Sequence, residues 1–450
     1  MSDLVFATAN ELLAAVRKRR LSAAELLEAH LAQIERHDAS LNALVTLDAA
    51  GARQRARAAD AALARGDLWG PLHGLPLALE DCHATAGLRS AWGGYPPLAR
   101  HVPSEDGVVA ARLRAAGAIV FGKTNGPAIW GDESIFPPTN NPWDPERSPG
   151  GSGAGPAAAV AAGMTPLDIG LDTTGSILNP AHCCGVFGMR PTEGRVSLSG
   201  AFFIDPIPKF HVMSVLGPIA RSVEDLRLAM QVISGPDSRD LAIPPVQWRD
   251  IPAPAMRSLR VAWSPTLPGM PIVSEARAAI EALAQELEQA GARVEQRLPD
   301  VDFAGQALLA QQTFWLIAGA FESGEGPRPS LDDYLTALER RAAFALAWER
   351  FFHEWDVLLC PCDPAVARQH DEDAALVDGR PVPEQIAELA YGISPVSGCP
   401  AVVLPLTSSR SGLPIGLQAV GRRWDDERLL AIAGSLAELT GGFRRPPGYV

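Results

Sequence analysis

The sequence lacks the features of membrane proteins and of proteins that bind nucleic acids. It contains no run of about 18 apolar residues, the length that a membrane-spanning helix needs. Its 450 residues have a formal net charge of −13. It therefore lacks the surplus of clustered Lys and Arg with which proteins bind nucleic acids or anionic membranes. We expect neither a membrane nor a nucleic acid as partner.

Cysteine is scarce as well. The 6 cysteines are too few for a disulfide scaffold in a chain of this length, and none shows the paired C-x-x-C spacing of zinc sites. The sequence does not open with a signal peptide, so we expect a cytoplasmic protein whose cysteines are reduced and buried. The spacings indicate no metal site, and no motif indicates a cofactor.

What the sequence does contain is typical of a large globular α/β protein. Hydrophobic residues make up 47% of it, enough for a large core. The capping-box patterns Thr8-x-x-Glu11 and Ser22-x-x-Glu25 predict two amphipathic helices at the start. Short apolar runs then alternate with helical patterns, as at 77–79 and 118–121. This alternation predicts a mixed β-sheet surrounded by helices, with a Pro-rich stretch at 236–254 as a candidate linker to a more variable lobe.

The most distinctive stretch, residues 148–188, contains two serines in glycine-rich loops. Ser152 and Ser176 each lie beside the predicted end of a strand or helix. Glycine allows positive φ angles and a close approach of the backbone to a ligand, so that neighbouring N–H groups can converge on an oxyanion. Serine nucleophiles are usually presented in this way, although such loops, taken alone, are more often flexible turns.

Motifs along nearly the whole chain resemble those of the amidase signature family, which includes amide hydrolases and the A subunit of glutamyl-tRNA amidotransferase. The matching motifs are His73-Gly74-Leu75-Pro76, Gly122-Lys123-Thr124-Asn125, Asn141-Pro142-Trp143-Asp144-Pro145, Ser148-Pro149-Gly150-Gly151-Ser152, Cys184-Gly185-Val186, Pro191-Thr192, Gly398-Cys399-Pro400-Ala401 and Gly412-Leu413-Pro414-Ile415-Gly416-Leu417-Gln418.

The resemblance implies an amidase signature fold in a single large domain, residues 1–450. The signature core would cover about 70–200, and a variable helical region at about 300–395 would line the substrate. The family uses a Ser–cis-Ser–Lys triad that attacks amides or esters through an acyl-enzyme. Ser176 corresponds to the nucleophile, and Ser152 to the bridging serine whose peptide bond is cis. Homodimers are common among relatives, so a homodimer is the oligomer that the resemblance suggests.

The resemblance also assigns the residues around the two serines. The oxyanion hole corresponds to backbone N–H groups at 173–176, and Asp81 would brace the site through hydrogen bonds to the backbone. The residues that we expect to form the oxyanion hole or to bind nearby are Thr173, Thr174, Gly175, Gly151, Asp81 and Asp172.

The family's catalytic lysine is absent, because Glu80 occupies its position. In the family, the neutral amine takes the proton of the bridging serine. A carboxylate can also accept a proton, but its unperturbed pKa of about 4.3 makes it a weak base at neutral pH. Glu80 can replace the lysine only if burial or the neighbouring Asp81 raises its pKa.

Other positions depart from the family pattern too. The second serine of the family's Ser-Ser pair is Gly153, and the arginine two residues after the nucleophile is Leu178. The remaining departures are Ala128, Ala154 and Thr174. His182, six residues after Ser176, is an alternative general base, because imidazole titrates near neutral pH. A packed histidine is the more common role.

These residues leave three functions open. The first is a divergent amidase-like enzyme that hydrolyses or transfers the acyl group of a small amide or ester, with Ser176 as nucleophile, Ser152 as bridging serine and Glu80 as base. The second is a catalytically impaired pseudo-amidase that acts as a binding or scaffold protein. The third is a non-hydrolytic enzyme in which Glu80 and Asp81 perform acid/base chemistry without a covalent step.

Overall fold

The computed structural model describes residues 3–126, 134–201, 212–319, 329–370, 372 and 374–449. The position of Ala128 lies outside these ranges. The strands are β1 (Leu44–Leu47), β2 (Pro76–Glu80), β3 (Ile119–Thr124), β4 (Leu167–Asp172), β5 (Phe187–Arg190), β6 (Val215–Ala220), β7 (Arg260–Trp263), β8 (Arg293–Gln296), β9 (Val357–Pro361), β10 (Ala374–Val377), β11 (Arg380–Pro383), β12 (Ala401–Ser408) and β13 (Pro414–Val420).

The α-helices are distributed along the whole chain, and none that the structure describes is long and apolar enough to cross a membrane. They are α1 (Ala9–Arg17), α2 (Ala23–Leu41), α3 (Ala49–Ala64), α4 (Val108–Ala115), α5 (Ala154–Ala161), α6 (Leu178–Cys184), α7 (Val223–Ile233), α8 (Ser274–Gln289), α9 (Phe303–Gly319), α10 (Leu331–Glu354), α11 (Glu388–Tyr391), α12 (Ile393–Ser397) and α13 (Asp426–Thr440).

The largest sheet has 8 strands in the order β4-β6-β5-β12-β13-β9-β7-β8. The pairs from β4 to β9 are antiparallel, whereas β7 lies parallel to both β9 and β8. A 3-stranded sheet, β1-β3-β2, lies beside β4, and β10 and β11 form a separate hairpin. The predicted α/β fold, a mixed sheet surrounded by helices, is confirmed.

The Pro-rich stretch at 236–254 does not divide the molecule. The strands β4 and β7 lie on either side of it in sequence but belong to the same sheet. Buried side chains from both sides, such as Leu216 and Val261, also share one hydrophobic cluster. The expectation of a separate lobe after this stretch is therefore wrong, because the strands that follow it complete the central sheet.

Local sequence signals place the first helices where they were expected. At the start of α1 the Thr8 hydroxyl accepts the Glu11 N–H, and the Glu11 carboxylate accepts the Thr8 N–H; Ser22 and Glu25 make the same capping box at α2. Helix α5 begins two residues before Pro156, so proline lies within its first turn. That position is tolerated because first-turn N–H groups have no acceptor within the helix.

Asp168 links the two sheets where β2 passes β4. Its Oδ1 accepts the Glu80 N–H at 2.9 Å, and its Oδ2 accepts the Thr124 hydroxyl at 2.8 Å. The Thr165 hydroxyl oxygen accepts the Ala78 N–H at 3.1 Å. Because no backbone ladder joins β2 to β4 in the described part of the chain, these side chains satisfy donors along the edge of β2. They hold Glu80 beside the strand that leads to Ser176.

We expect Asp168→Ala to destabilise the fold by about 3 kcal/mol, because it leaves buried N–H and O–H donors without acceptors. Urea unfolding at neutral pH measures the change. Asp250→Ala is the matched control, since Asp250 is exposed and its contacts among the described residues are long, 3.4 Å to Gln231 and 3.9 Å to Arg227. A loss below about 1 kcal/mol for Asp168→Ala would show that the two sheets do not depend on this carboxylate.

Candidate active site

Ser152 and Ser176 lie on two loops that pack against each other. Ser176 is on the turn after β4, and Ser152 is in the glycine loop that leads into α5. The Gly153 N–H donates to the carbonyl oxygen of Ser176 at 3.0 Å. Both serines are partly exposed. The structure therefore brings together the two serines that the sequence singled out.

This contact requires glycine in the loop of Ser152. A Cβ on Gly153 would lie 2.2 Å from the Ser176 carbonyl oxygen, which is too close for any side chain. The departure from the family's Ser-Ser pair thus allows a closer approach of the two loops. A Cβ on Gly151 would lie 3.3 Å from the Ser176 Cα. Gly151 also has φ +44°, in the left-handed region that favours glycine.

The peptide bond before Ser152 is trans, as are all peptide bonds of the described residues. The cis bond implied by the resemblance is therefore wrong for this structure. Gly150 and Gly151, just before Ser152, have φ angles of +86° and +44°, so the loop turns through two residues in the left-handed region that favours glycine.

Asp172 braces the turn of Ser176 from inside the protein. Its Oδ1 accepts the Gly175 N–H at 2.9 Å, and its Oδ2 accepts the Ile177 N–H at 2.7 Å. The buried Arg190 donates from Nε to Asp172 Oδ1 at 3.0 Å, so the carboxylate is neutralised by an ion pair. Asp172 therefore acts on the shape of this turn rather than on a ligand.

The bond to Asp172 removes the Gly175 N–H from the predicted oxyanion hole. The Thr173 hydroxyl is likewise occupied by the Ser214 hydroxyl at 2.9 Å. The backbone N–H groups of Thr173, Thr174 and Ser176, in contrast, have no acceptor among the residues that the structure describes. These N–H groups are the donors that the turn leaves for an oxyanion.

Glu80 is buried at the end of β2. Its Oε2 accepts the Leu171 N–H at 2.6 Å, and its Oε1 would lie 2.6 Å from a Cβ on Gly126. Burial raises the pKa of Glu80 well above its ordinary value; Asp168 and Asp81 raise the pKa further, whereas the Leu171 N–H and Lys123 lower it. A raised pKa is the condition under which Glu80 can replace the lysine.

The carboxylate of Glu80 is nevertheless held by β4 in this structure. Within the described ranges, no hydrogen bond joins Glu80 to Ser152 or Ser152 to Ser176. Lys123 does not supply the missing amine, because its Nζ donates to the carbonyl oxygen of His83 at 2.6 Å and to the Thr85 hydroxyl at 3.1 Å. The assignment of Glu80 as the base therefore stays a prediction.

Asp81 is hydrogen-bonded to the loop that follows β2. Its carboxylate accepts the backbone N–H groups of Ala91 and Gly93, each at 3.0 Å to Oδ2. Burial raises the pKa of Asp81 to about 6, although Lys123 and the two N–H groups oppose the shift. These contacts hold the loop after β2 and leave Asp81 with no role that requires a substrate.

His182 uses both of its ring nitrogens in packing contacts. The Gly416 N–H donates to Nδ1 at 3.0 Å, so the ring proton is on Nε2, which donates to the Ala365 carbonyl oxygen at 2.8 Å. The imidazole is also buried. No ring nitrogen remains to take a proton from Ser176, so His182 has no part in the proposed reaction.

A cavity of about 80 Å³ opens beside the loop of Ser152, which is several times the space that one water molecule needs. The loop after β9 and the end of α11 form its far side. Its polar lining includes Asn179, Asp363, Arg368 and Tyr391, beside Gly150 and Gly151. The sequence analysis missed Asp363 and Tyr391, which lie about 200 residues from the serines in sequence, and the only local signal was Asn179, three residues after Ser176.

Comparisons with known proteins agree along almost the whole chain. A family model described as Amidase matches residues 25–323 and 306–430. The A subunit of the glutamyl-tRNA(Gln) amidotransferase of Moorella thermoacetica is 33% identical over 99% of both chains. A solved structure described as a vestigial protein complex that reveals the origins of an s-triazine catabolic enzyme has a TM-score of 0.84 and 29% identity, covering 98% of this chain and 100% of that one. A crystal structure of an amidase has a TM-score of 0.83 and 28% identity, over 97% and 100% of the two chains.

We expect Glu80→Gln to reduce the pH dependence of stability between about pH 6.5 and 8. Burial raises the folded-state pKa of Glu80, and that of Asp168 to about 7, so the native state holds protons that the unfolded chain has lost. Stability must then fall as pH rises, by up to about 1.4 kcal/mol per pH unit for each such proton. Glutamine has no proton to lose, so the contribution of Glu80 to this slope disappears in the variant.

Urea unfolding at the two pH values tests this expectation, with Glu288→Gln on the exposed side of α8 as the matched control. The buried His30 and His83 do not affect the comparison, because burial lowers the pKa of each to about 3 and both contribute the same slope to the wild type and to the variant. Equal slopes for the wild type and Glu80→Gln would mean that Glu80 is ionised in the native state throughout this range.

Proposed function

The chain belongs to the amidase family of amide-hydrolysing and amidotransferase enzymes, and we propose that it cleaves a small amide or ester through an acyl-enzyme on Ser176. The observation that supports this proposal best is the contact between the two serine loops, made by the hydrogen bond from Gly153 to Ser176. The two loops are in contact there, and Gly150 and Gly151, which precede Ser152, line a cavity of about 80 Å³.

The proposed reaction proceeds in two steps. The Ser176 Oγ attacks the carbonyl carbon of the substrate while its proton passes to Ser152, and the proton of Ser152 passes to Glu80. The N–H groups of Thr174 and Ser176 stabilise the oxyanion. Collapse of this intermediate breaks the bond to the leaving amine or alcohol, which takes up the proton. Water, or an acceptor amine, then attacks the acyl-enzyme and releases Ser176.

Glu80 must use its Oε1 for this relay, because Oε2 is occupied by the Leu171 N–H. A buried carboxylate with a raised pKa is a better proton acceptor than an exposed one, since general bases work best when their pKa lies near the working pH. Catalytic hydrogen bonds in unliganded enzymes are often long and shorten when the substrate binds. Activity is expected to rise with pH as Glu80 loses its proton.

A second candidate is the amide-cleaving component of an amidotransferase that works with a protein partner. The curated relatives with 30–33% identity are each named as the A subunit of a glutamyl-tRNA(Gln) amidotransferase, and the match covers 97–99% of the first two relatives as well as 99% of this chain. Release of ammonia from glutamine by the purified chain would favour this role. Turnover of small amides without turnover of glutamine would favour the first candidate.

We expect a fluorophosphonate probe to label Ser176 in the wild-type protein. Ser176→Ala should abolish the adduct, and Ser152→Ala should slow labelling by about 100-fold or more, the usual contribution of a positioned proton acceptor. Intact-mass spectrometry and peptide mapping identify the labelled residue. Ser411→Ala is the matched control, because Ser411 is exposed in the turn between β12 and β13 and its hydroxyl bonds to that of Ser409.

The absence of any adduct from about pH 6 to 9 would contradict the acyl-enzyme and favour the binding or scaffold function. Glu80→Lys and Glu80→Gln add a direct test of the base. Faster labelling of Glu80→Lys than of the wild type would show that the two serines are intact and limited by their proton acceptor. Equal labelling of Glu80→Gln and the wild type would contradict a role for the Glu80 carboxylate in the relay.

A further inference from the structure

Three side chains with no role in the proposed reaction form one wall of the cavity. Asp363 follows β9, Asn179 lies on α6, and Tyr391 ends α11. The Asn179 Nδ2 donates to Asp363 Oδ2 at 3.0 Å and is hydrogen-bonded to the Tyr391 hydroxyl, which itself donates to Asp363 Oδ2. The three polar groups are thus held in one hydrogen-bonded unit, which we call the acceptor wall.

The acceptor wall contacts both serine loops. A Cβ on Gly175 would lie 2.8 Å from Tyr391 Cγ, so the tyrosine ring packs directly on the turn of Ser176. A Cβ on Gly150 would lie 2.2 Å from Asn179 Oδ1, so the amide oxygen reaches the loop of Ser152. Gly150 and Gly151 line the same cavity as these polar groups, so a substrate bound there would meet the acceptor wall beside the loop of Ser152.

The hydrogen bonds within the acceptor wall use the N–H and O–H donors of its three side chains, whereas some of its acceptor oxygens remain unbonded. An ionised carboxylate only accepts, so the Asn179 nitrogen must face Asp363 and its Oδ1 must face Gly150. In the part of the chain that the structure describes, no group donates to this Oδ1. Of the roughly four acceptor positions on a carboxylate, Asp363 uses three, for Tyr391, Asn179 and the Ala365 N–H.

We propose that the acceptor wall selects an uncharged substrate that carries N–H donors beside the scissile carbonyl, such as a diamide or a ureido compound. Its N–H groups would donate to Asn179 Oδ1 and to the remaining position on Asp363. A methyl group at the same place would bury these oxygens without a partner, and sites built to hydrogen-bond a polar group strongly reject such analogues. Arg368 also lines the cavity, so the lining carries charged side chains of both signs and does not favour a cation over a neutral ligand.

This inference rests on the proposed function only for the position of the scissile bond. Binding of the donor group needs no covalent step, so it can be measured separately. Malonamide and acetoacetamide are suitable probes, because they share one primary amide and differ only in an amino or a methyl group on the second carbonyl. Affinities are measured by ligand-observed NMR on the full-length protein and, in parallel, on Ser176→Ala, which cannot form an acyl-enzyme.

We expect the wild type to bind malonamide about 10-fold or more tightly than acetoacetamide, which corresponds to one well-formed hydrogen bond. Asn179→Leu and Asp363→Asn should reduce this preference to about 3-fold or less, and Ser176→Ala should retain it. Asn140→Leu is the matched control and should also retain the preference, because among the described residues the Asn140 side chain bonds to the backbone of Ser40 and not to the cavity wall. Circular dichroism and urea unfolding establish that each variant is folded.

Equal affinity of the wild type for the two probes would overturn the proposal, as would a preference that survives in both Asn179→Leu and Asp363→Asn. A lost preference in these two variants, combined with an absence of fluorophosphonate labelling at Ser176, would support the acceptor wall and reject the acyl-enzyme. The failure of one inference is thereby distinguished from the failure of the other.

Discussion

The site depends on the contacts that hold β2 beside β4. These two strands belong to different sheets, and no backbone ladder joins them in the described structure. Two carboxyl groups make the connection instead: Asp168 reaches from β4 to the backbone of β2, and Glu80 reaches from β2 to the backbone of β4. Because β4 leads directly into the turn of Ser176, the same contacts fix the position of Glu80 relative to this turn.

The departures from the family pattern make physical sense as a set. Glutamate has a shorter side chain than lysine, and at position 80 it bonds to the strand beside it rather than to the loop of Ser152. Gly153 lets that loop approach the Ser176 turn to a distance that a serine side chain would prevent. The two serines therefore approach each other through backbone contact, whereas in the family pattern a lysine and a cis peptide bond would organise them.

The sequence predicts the parts of this structure that depend on neighbouring residues. Capping boxes locate α1 and α2, and apolar runs locate β2 and β3, because each signal lies within or beside the element that it specifies. The strands β5 and β6 were missed, since their pairing with β4 and β12 is decided by contacts across the sheet. Among site residues, glycine-flanked serines were recognisable, whereas Asp168 and Tyr391 acquire their roles only through partners far away in sequence.

Charge balance in the buried cluster explains why proton transfer at this site must be coupled to folding. Glu80, Asp81 and Asp168 are three buried carboxyl groups. Lys123 is the buried cation that opposes all three pKa shifts, and Arg89 also opposes that of Asp81. Three buried negative charges against one buried positive charge would be costly, and burial accordingly raises the pKa of each carboxyl group. A protonated lysine at position 80 would have balanced these charges. It would have had to lose its proton before its neutral amine could act as a base. Glutamate reverses that relation: in the proposed reaction, the proton that stabilises the fold must leave before Glu80 can accept another from Ser152.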